Sequence, residues 1–249
     1  NLVLDTGVRS IVLFGRKFDS QFETIDNYTV AMSGYGKVKS RSGKLSMDND
    51  ILIADVLGSS VCVVLMPGGN LFEQAGLPHI DGIIGYQLFS RFIVKIDYKY
   101  RRISMYEPFV DLDLSSYESV PLIIKDTKPY VKASVATMGG HVETGFFHLD
   151  TGSSQDMLLF MREKKVATPK SMHRTLLGIG IGGKVRGFRG KEAYTLQIGE
   201  RFKKKIIPKY VQRGFSNREI QDAYGSIGSG MLKDSVIIID YLRQRFYFI

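Results

Sequence analysis

Short apolar runs, broken by glycine and by charge, set the pattern of this chain. Leu2-Val3-Leu4, Ser60-Val61-Cys62-Val63-Val64-Leu65, Phe146-Phe147-His148-Leu149 and the run from Ser235 to Ile239 are short and rich in β-branched or aromatic residues. Runs of that length bounded by turn residues predict strands. Tyr130 to Val135 alternates, Gly139-Gly140 supplies a turn, and the chain then runs as a strand into Leu149, which predicts a hairpin. Most other segments alternate or are short and β-branched, so the pattern predicts folded or closed antiparallel sheets. Short helices are expected at 71–75, 87–91, 161–165 and 217–223, the last opened by Ser216 with Glu219 behind it. No apolar stretch approaches the roughly 18 residues of a membrane-spanning helix.

One string in this pattern occurs twice. Leu-Asp-Thr-Gly stands at Leu4–Gly7 and again at Leu149–Gly152, 145 positions apart, each time where a strand runs into a glycine turn. A repeat must show in more than one segment. The stretch from Gly82 to Tyr106 overlays that from Gly225 to Ile249 without gaps, with identities at Gly82/Gly225, Ile84/Ile227, Gly85/Gly228, Ile96/Ile239, Asp97/Asp240, Tyr98/Tyr241 and Arg102/Arg245. Gly36-Lys37-Val38 likewise matches Gly183-Lys184-Val185. Three segments keep their order at offsets of 145, 143 and 147, so the chain carries an internal duplication. The predicted halves are residues 1–108 and 120–249, joined by a polar connector at 109–119.

With these residues the chain resembles the pepsin-like aspartic proteases, as two retropepsin-like halves in a single chain in the manner of bacterial aspartyl proteases. The likeness covers nearly its whole length. It rests on the paired Asp-Thr-Gly loops, a glycine-rich hairpin in each half, and Ile83-Ile84-Gly85 answered by Ser226-Ile227-Gly228. The resemblance implies an all-β, two-lobed acid-protease β-barrel fold with internal duplication and a few short helices. It implies an aspartic endopeptidase, monomeric and without a cofactor, that takes a peptide or protein substrate extended in a cleft between lobes. By the same resemblance Thr6 and Thr151 bind across to the opposite loop, and the enzyme is exported, in the periplasm, the cell envelope or outside the cell.

Two carboxylates suit that chemistry on physical grounds. Like charges a few ångströms apart do not both ionise easily, so the pair shares a proton and supplies an acid and a base together. Asp5 and Asp150 are the expected catalytic pair. Gly7 and Gly152 permit a tight turn that frees amide groups for the carboxylates. The second loop continues with Ser153 where the first has Val8, so the first lacks a hydroxyl, and activity reaching toward neutral pH is expected. Gly34-Tyr35-Gly36 and the segment holding Gly180 and Gly182 stand where the resemblance puts substrate-covering flaps, with Tyr35 packing on substrate. Gly178, Gly180 and Gly183 also satisfy a dinucleotide fingerprint, but Val185 and the residues after it do not open a helix, which excludes that reading.

Composition trims the alternatives. The formal charge of +9 is densest at Arg201-Phe202-Lys203-Lys204-Lys205, a solvated strand edge rather than a nucleic-acid face, since basic and aromatic residues do not interleave along one side. Cys62 is the single cysteine, expected buried in its strand, so no intrachain disulfide forms. His79, His141, His148 and His173 have no ligand spacing, and no metal site is expected. The second half has a strand lead-in before its motif and the first has only Asn1–Val3, so the sequence is expected to begin inside a longer precursor, any targeting segment lying outside it. The competing function is a catalytically silent module that holds peptide or protein on the same fold.

Overall fold

The computed structural model describes residues 1–36, 40–67, 72–73, 76, 80–161, 171–212 and 223–249. Its described residues are almost all strand, with two four-residue α-helices and one 3-10 turn. The expected all-β class is what the chain adopts. No helix among them is long and apolar enough to cross a membrane. The contacts divide the chain into two compact units.

The first unit comprises 1–4, 8–87 and 179–185. Its sheet holds β1 (Leu2–Leu4), β2 (Ile11–Phe14), β3 (Thr29–Ser33), β4 (Ser40–Ile53), β5 (Val56–Met66) and β6 (Gly82–Ile84), in the order β1-β6-β2-β5-β4-β3. β2 reads Ile-Val-Leu-Phe and all four residues are buried, as expected of a strand covered on both faces. Val8, Val12, Phe14, Val64, Met66 and Ile83 form its core, with Met32 and Ile181 packed against it. Each such side chain contributes about 1.5–3 kcal/mol of burial. Cys62, on β5, is half-buried and free, less enclosed than its apolar run predicts.

The second unit comprises 5–7, 88–178 and 186–249. After α1 (Tyr86–Phe89) come β7 (Ile93–Asp97), β8 (Arg102–Tyr106), β9 (Glu118–Lys125), β10 (Lys128–Ala136), β11 (Val142–Asp150), β12 (Met157–Met161), β13 (Met172–Gly180) and β14 (Gly183–Gly190). β15 (Tyr194–Ile198), β16 (Phe202–Ile206), β17 (Lys209–Gln212), β18 (Ala223–Gly228), α2 (Ser229–Leu232), β19 (Val236–Asp240) and β20 (Arg245–Phe248) follow. They form a sheet running β13-β14-β17-β12-β18-β11-β10-β9-β20-β19-β7-β8, with β15 joining β10 to β16. Ile237, Ile238 and Ile239 of β19 are at most 2% exposed.

The duplication is visible in the pairing. β1 runs parallel to β6, which is antiparallel to β2, which is parallel to β5. β11 runs parallel to β18, which is antiparallel to β12, which is parallel to β17. The six-strand order of the first sheet recurs as β11-β18-β12-β17-β14-β13. Gly82 and Gly225, matched in the sequence repeat, do the same job in each. A Cβ on Gly82 would lie 2.3 Å from the Val12 carbonyl oxygen, and one on Gly225 would lie 1.9 Å from that of Leu158. Asp97 and Asp240 close matching strands, accepting the amides of Tyr100 and Arg243 at 2.9 Å each.

Three sequence expectations differ from what is observed. The division at Pro108 is not where the contacts part, which is between Gln87 and Leu88, and Asp5–Gly7 and Ile179–Val185 each count with the opposite unit. The helix expected at 87–91 is one turn at Tyr86–Phe89, and α2 was not expected at all. The helices expected at 71–75, 161–165 and 217–223 lie largely outside the described residues, Met161 and Ala223 belonging to strands. His79, Lys37 and Val38 also lie outside the described residues.

Candidate active site

β11 carries Asp150 as its last residue, with β18 parallel to it and Gly228 opposite. Asp5 follows β1 directly and belongs with Asp150 to the second unit. The two loops are locked together through their threonines. The amide of Thr6 donates to Oγ1 of Thr151 at 3.1 Å, the amide of Thr151 donates to Oγ1 of Thr6 at 3.2 Å, and the Thr6 hydroxyl donates to the Leu149 carbonyl at 2.5 Å. Both threonines are buried, so each bond exchanges no water and each loss would strand a polar group.

This lock lays the Asp5 carboxyl on the second loop. A Cβ on Gly152 would stand 2.4 Å from Cγ of Asp5 and 2.7 Å from its Oδ2, so only glycine permits the approach. The Gly7 amide donates to Oδ1 of Asp5 at 2.6 Å. Asp150 receives the amides of Gly152 and Ser153. Burial, and then the charge of Asp5, pushes the Asp150 carboxyl up to about 7 against those amides and the charge of Lys128. Asp5 is pushed up too, by burial, against the Gly7 amide and Lys128. The Asp150 side chain keeps 14% of its exposure, enough for water to reach an edge. A pair that holds one proton between two carboxyls can pass it to one oxygen while the other accepts one.

Ser153 serves the turn rather than the carboxylate with its side chain: Oγ accepts the Gln155 amide at 3.3 Å, and its carbonyl accepts the amide and hydroxyl of Ser229 at 2.7 and 2.8 Å. Val8, its counterpart, is buried in the first unit's core. The raised Asp150 pKa therefore owes most to burial and not to the hydroxyl that Val8 lacks.

The glycine-rich segments meet each other. Gly36 bridges Gly182, the Gly182 amide donates to the Tyr35 carbonyl at 3.0 Å, and Ile181 lies 3.1 Å from the Cβ position of Gly34. A Cβ on Gly180 would stand 2.4 Å from the Tyr35 carbonyl oxygen. All of them belong to the first unit, and Tyr35 is half-buried.

Three neighbours of the carboxyls had no functional reading in the sequence. His148, two residues before Asp150, has Nδ1 4.0 Å from Oδ2 of Asp150. Its ring lies against Tyr130, centroids 5.5 Å apart, and the two residues pair across β10 and β11. Lys128, at the start of β10, acts on both Asp150 and His148 through its charge. Burial, helped by Lys128, pushes the His148 imidazole down to about 3, so it is neutral over most of the pH range. Tyr98 is pushed up to about 12 by burial and then by the charge of Asp150. A polar residue in an otherwise apolar strand was the available signal for His148. Among the described residues no group of three or more His, Cys, Asp or Glu gathers to hold a metal ion.

No family model matches this chain, and no curated protein matches it. Among 337 solved chains that match is the basic 7S globulin from soybean, at 12% identity and TM-score 0.49, covering 99% of this chain and 86% of that one. At that identity and score the likeness carries no argument. The resemblance to the pepsin-like and retropepsin-like proteases is corrected by these findings: no family model supports it. What the paired motifs do establish is the duplication and the meeting of the two loops.

Proposed function

We propose that this chain holds a peptide segment in extended form at its two carboxyls and hydrolyses it there. The supporting observation is the placement of the Asp5 carboxyl against Gly152 by the reciprocal threonine bonds, beside an Asp150 that keeps its proton to about pH 7. In the reaction, the ionised carboxylate takes a proton from water as the water oxygen bonds to the peptide carbon. The protonated carboxyl gives its proton to the carbonyl oxygen. In the second half the carbonyl re-forms, the C–N bond breaks and the nitrogen leaves protonated, so the dyad ends with the one proton it began with. Neither a cofactor nor a covalent intermediate enters this scheme.

A second reading, a module that holds peptide without cutting it, draws support from the unequal loops. Asp150 receives two loop amides and Asp5 one. Digestion of a diverse peptide library from about pH 3 to 8, with wild type, Asp5→Asn and Asp150→Asn, separates the two. Cuts made by wild type and by neither variant are expected. Peptide binding without cuts at any pH, by folded protein, would establish the silent module instead.

A further inference from the structure

The two copies of the repeat differ most tellingly two residues before each aspartate. In the first, Val3 of β1 pairs in register with Ile83 of β6, an apolar couple. In the second, His148 of β11 pairs in register with Ser226 of β18. Both members of that polar couple are buried, at 7% and 1% exposure, and both Nε2 of His148 and Oγ of Ser226 lack a hydrogen-bond partner in the structure. Packing alone does not call for these residues, because the first copy fills the same places with hydrocarbon. A buried polar group kept without a partner points to a task.

The other nitrogen shows which task. Nδ1 of His148 lies 4.0 Å from Oδ2 of Asp150, slightly beyond a hydrogen bond, with the ring fixed by Tyr130. Next to Nδ1 in the ring, Cε1 lies 3.2 Å from the Cβ position of Gly7, in the loop of Asp5. A neutral imidazole has one donor and one acceptor nitrogen. With its proton on Nε2 it has the Ser226 hydroxyl beside it in register as a complement, and it faces Asp150 with Nδ1 as an acceptor, which suits a protonated carboxyl.

We propose that His148, backed by Ser226, is a positioning residue of the carboxyl pair, its Nδ1 facing Oδ2 of Asp150 as an acceptor so that the shared proton settles there and the negative charge on Asp5. The other titratable groups facing this cluster are Asp5 from the first loop, Lys128 and Tyr130 from β10, and Tyr98 from the turn after β7. Lys128 favours ionisation of both carboxyls and does not choose between them, whereas His148 turns a nitrogen to Asp150 and only a carbon, Cε1, to the loop of Asp5.

The inference deepens the hydrolase reading but is tested without turnover. Carboxyl-13C aspartate labelling and NMR titration of intact protein, assigned with Asp5→Asn and Asp150→Asn, follow the pair directly. In His148→Leu the protonated Asp150 carboxyl loses its acceptor, so the upper apparent titration of the pair falls by about one pH unit, tenfold in proton affinity. His148→Gln keeps an acceptor, its amide oxygen, and reverses most of the shift. His148→Val with Ser226→Ile, which copies the first half's own couple, keeps the fold and behaves like His148→Leu. An unmoved titration in His148→Leu, or an equal shift in His148→Gln, overturns the proposal. A shift as expected in a protein that cuts no peptide leaves this inference standing and removes the hydrolase reading.

Discussion

A carboxyl held protonated to about pH 7 loads the folded state when it ionises. For Asp150 the sign is definite. Its pKa is raised from 3.8 in the unfolded chain to about 7, so the native state binds the extra proton between those values. Stability from this group is full below about pH 4 and falls as pH rises to 7, by up to about 1.4 kcal/mol per pH unit. His148 acts oppositely: lowered from 6.5 to about 3, it makes stability rise with pH over that interval. The two slopes oppose each other from about pH 4 to 6.5, which predicts a flat stability profile there for wild type. Asp150→Asn should gain on wild type progressively from pH 4 to 7 and then level off, read by urea denaturation at stepped pH. A gap that does not vary with pH would refute the assignment. At this scale the sequence showed the aspartates, threonines and glycines, because the turn that needs them is local. It did not show what His148 does, because Tyr130, Lys128 and Ser226 reach it from other strands.

At the scale of elements, the repeat was legible because the fold imposes the same contact twice. Gly82 and Gly225 each face a carbonyl of the neighbouring antiparallel strand too closely for any side chain. Gly225→Ala must push β12 from β18, at the strands that align the Asp150 loop. A loss of about 3 kcal/mol or more is expected, at the upper end for single substitutions. Gly140→Ala, at a turn with nothing within 4 Å of its Cβ position but a φ of 79°, is the control for backbone conformation and should cost less. Equal losses in chemical denaturation would refute the steric account. The helices were poorly legible. α2 is four residues, Ser-Gly-Met-Leu, with no side-chain cap and a glycine inside it. Met231 and Leu232 bury themselves there, and tertiary packing rather than propensity makes the turn.

For the whole molecule, the informative feature is that neither unit is continuous in sequence. Asp5–Gly7 belongs to the second and Ile179–Val185 to the first, each reached by chain that enters and leaves from the other. A sequence repeat predicts two successive lobes, and it cannot foresee such an exchange, since Thr6 joins the second unit through bonds to Thr151 and Leu149. The exchange predicts that the two units melt together. Calorimetry should show a single transition with equal van't Hoff and calorimetric enthalpies. Two resolved transitions would mean that the exchanged segments contribute little.

The couple of Val3 with Ile83 against that of His148 with Ser226 bears on symmetry. Two identical half-units placed about an axis have two equivalent carboxyls, and nothing tells one from the other. A proton shared by them has no fixed address. With both halves on one chain, each can differ alone, and here an imidazole and a hydroxyl stand behind one aspartate where the other has hydrocarbon. A duplicated single chain thus permits a division of labour between its two carboxyls that two identical halves could not hold.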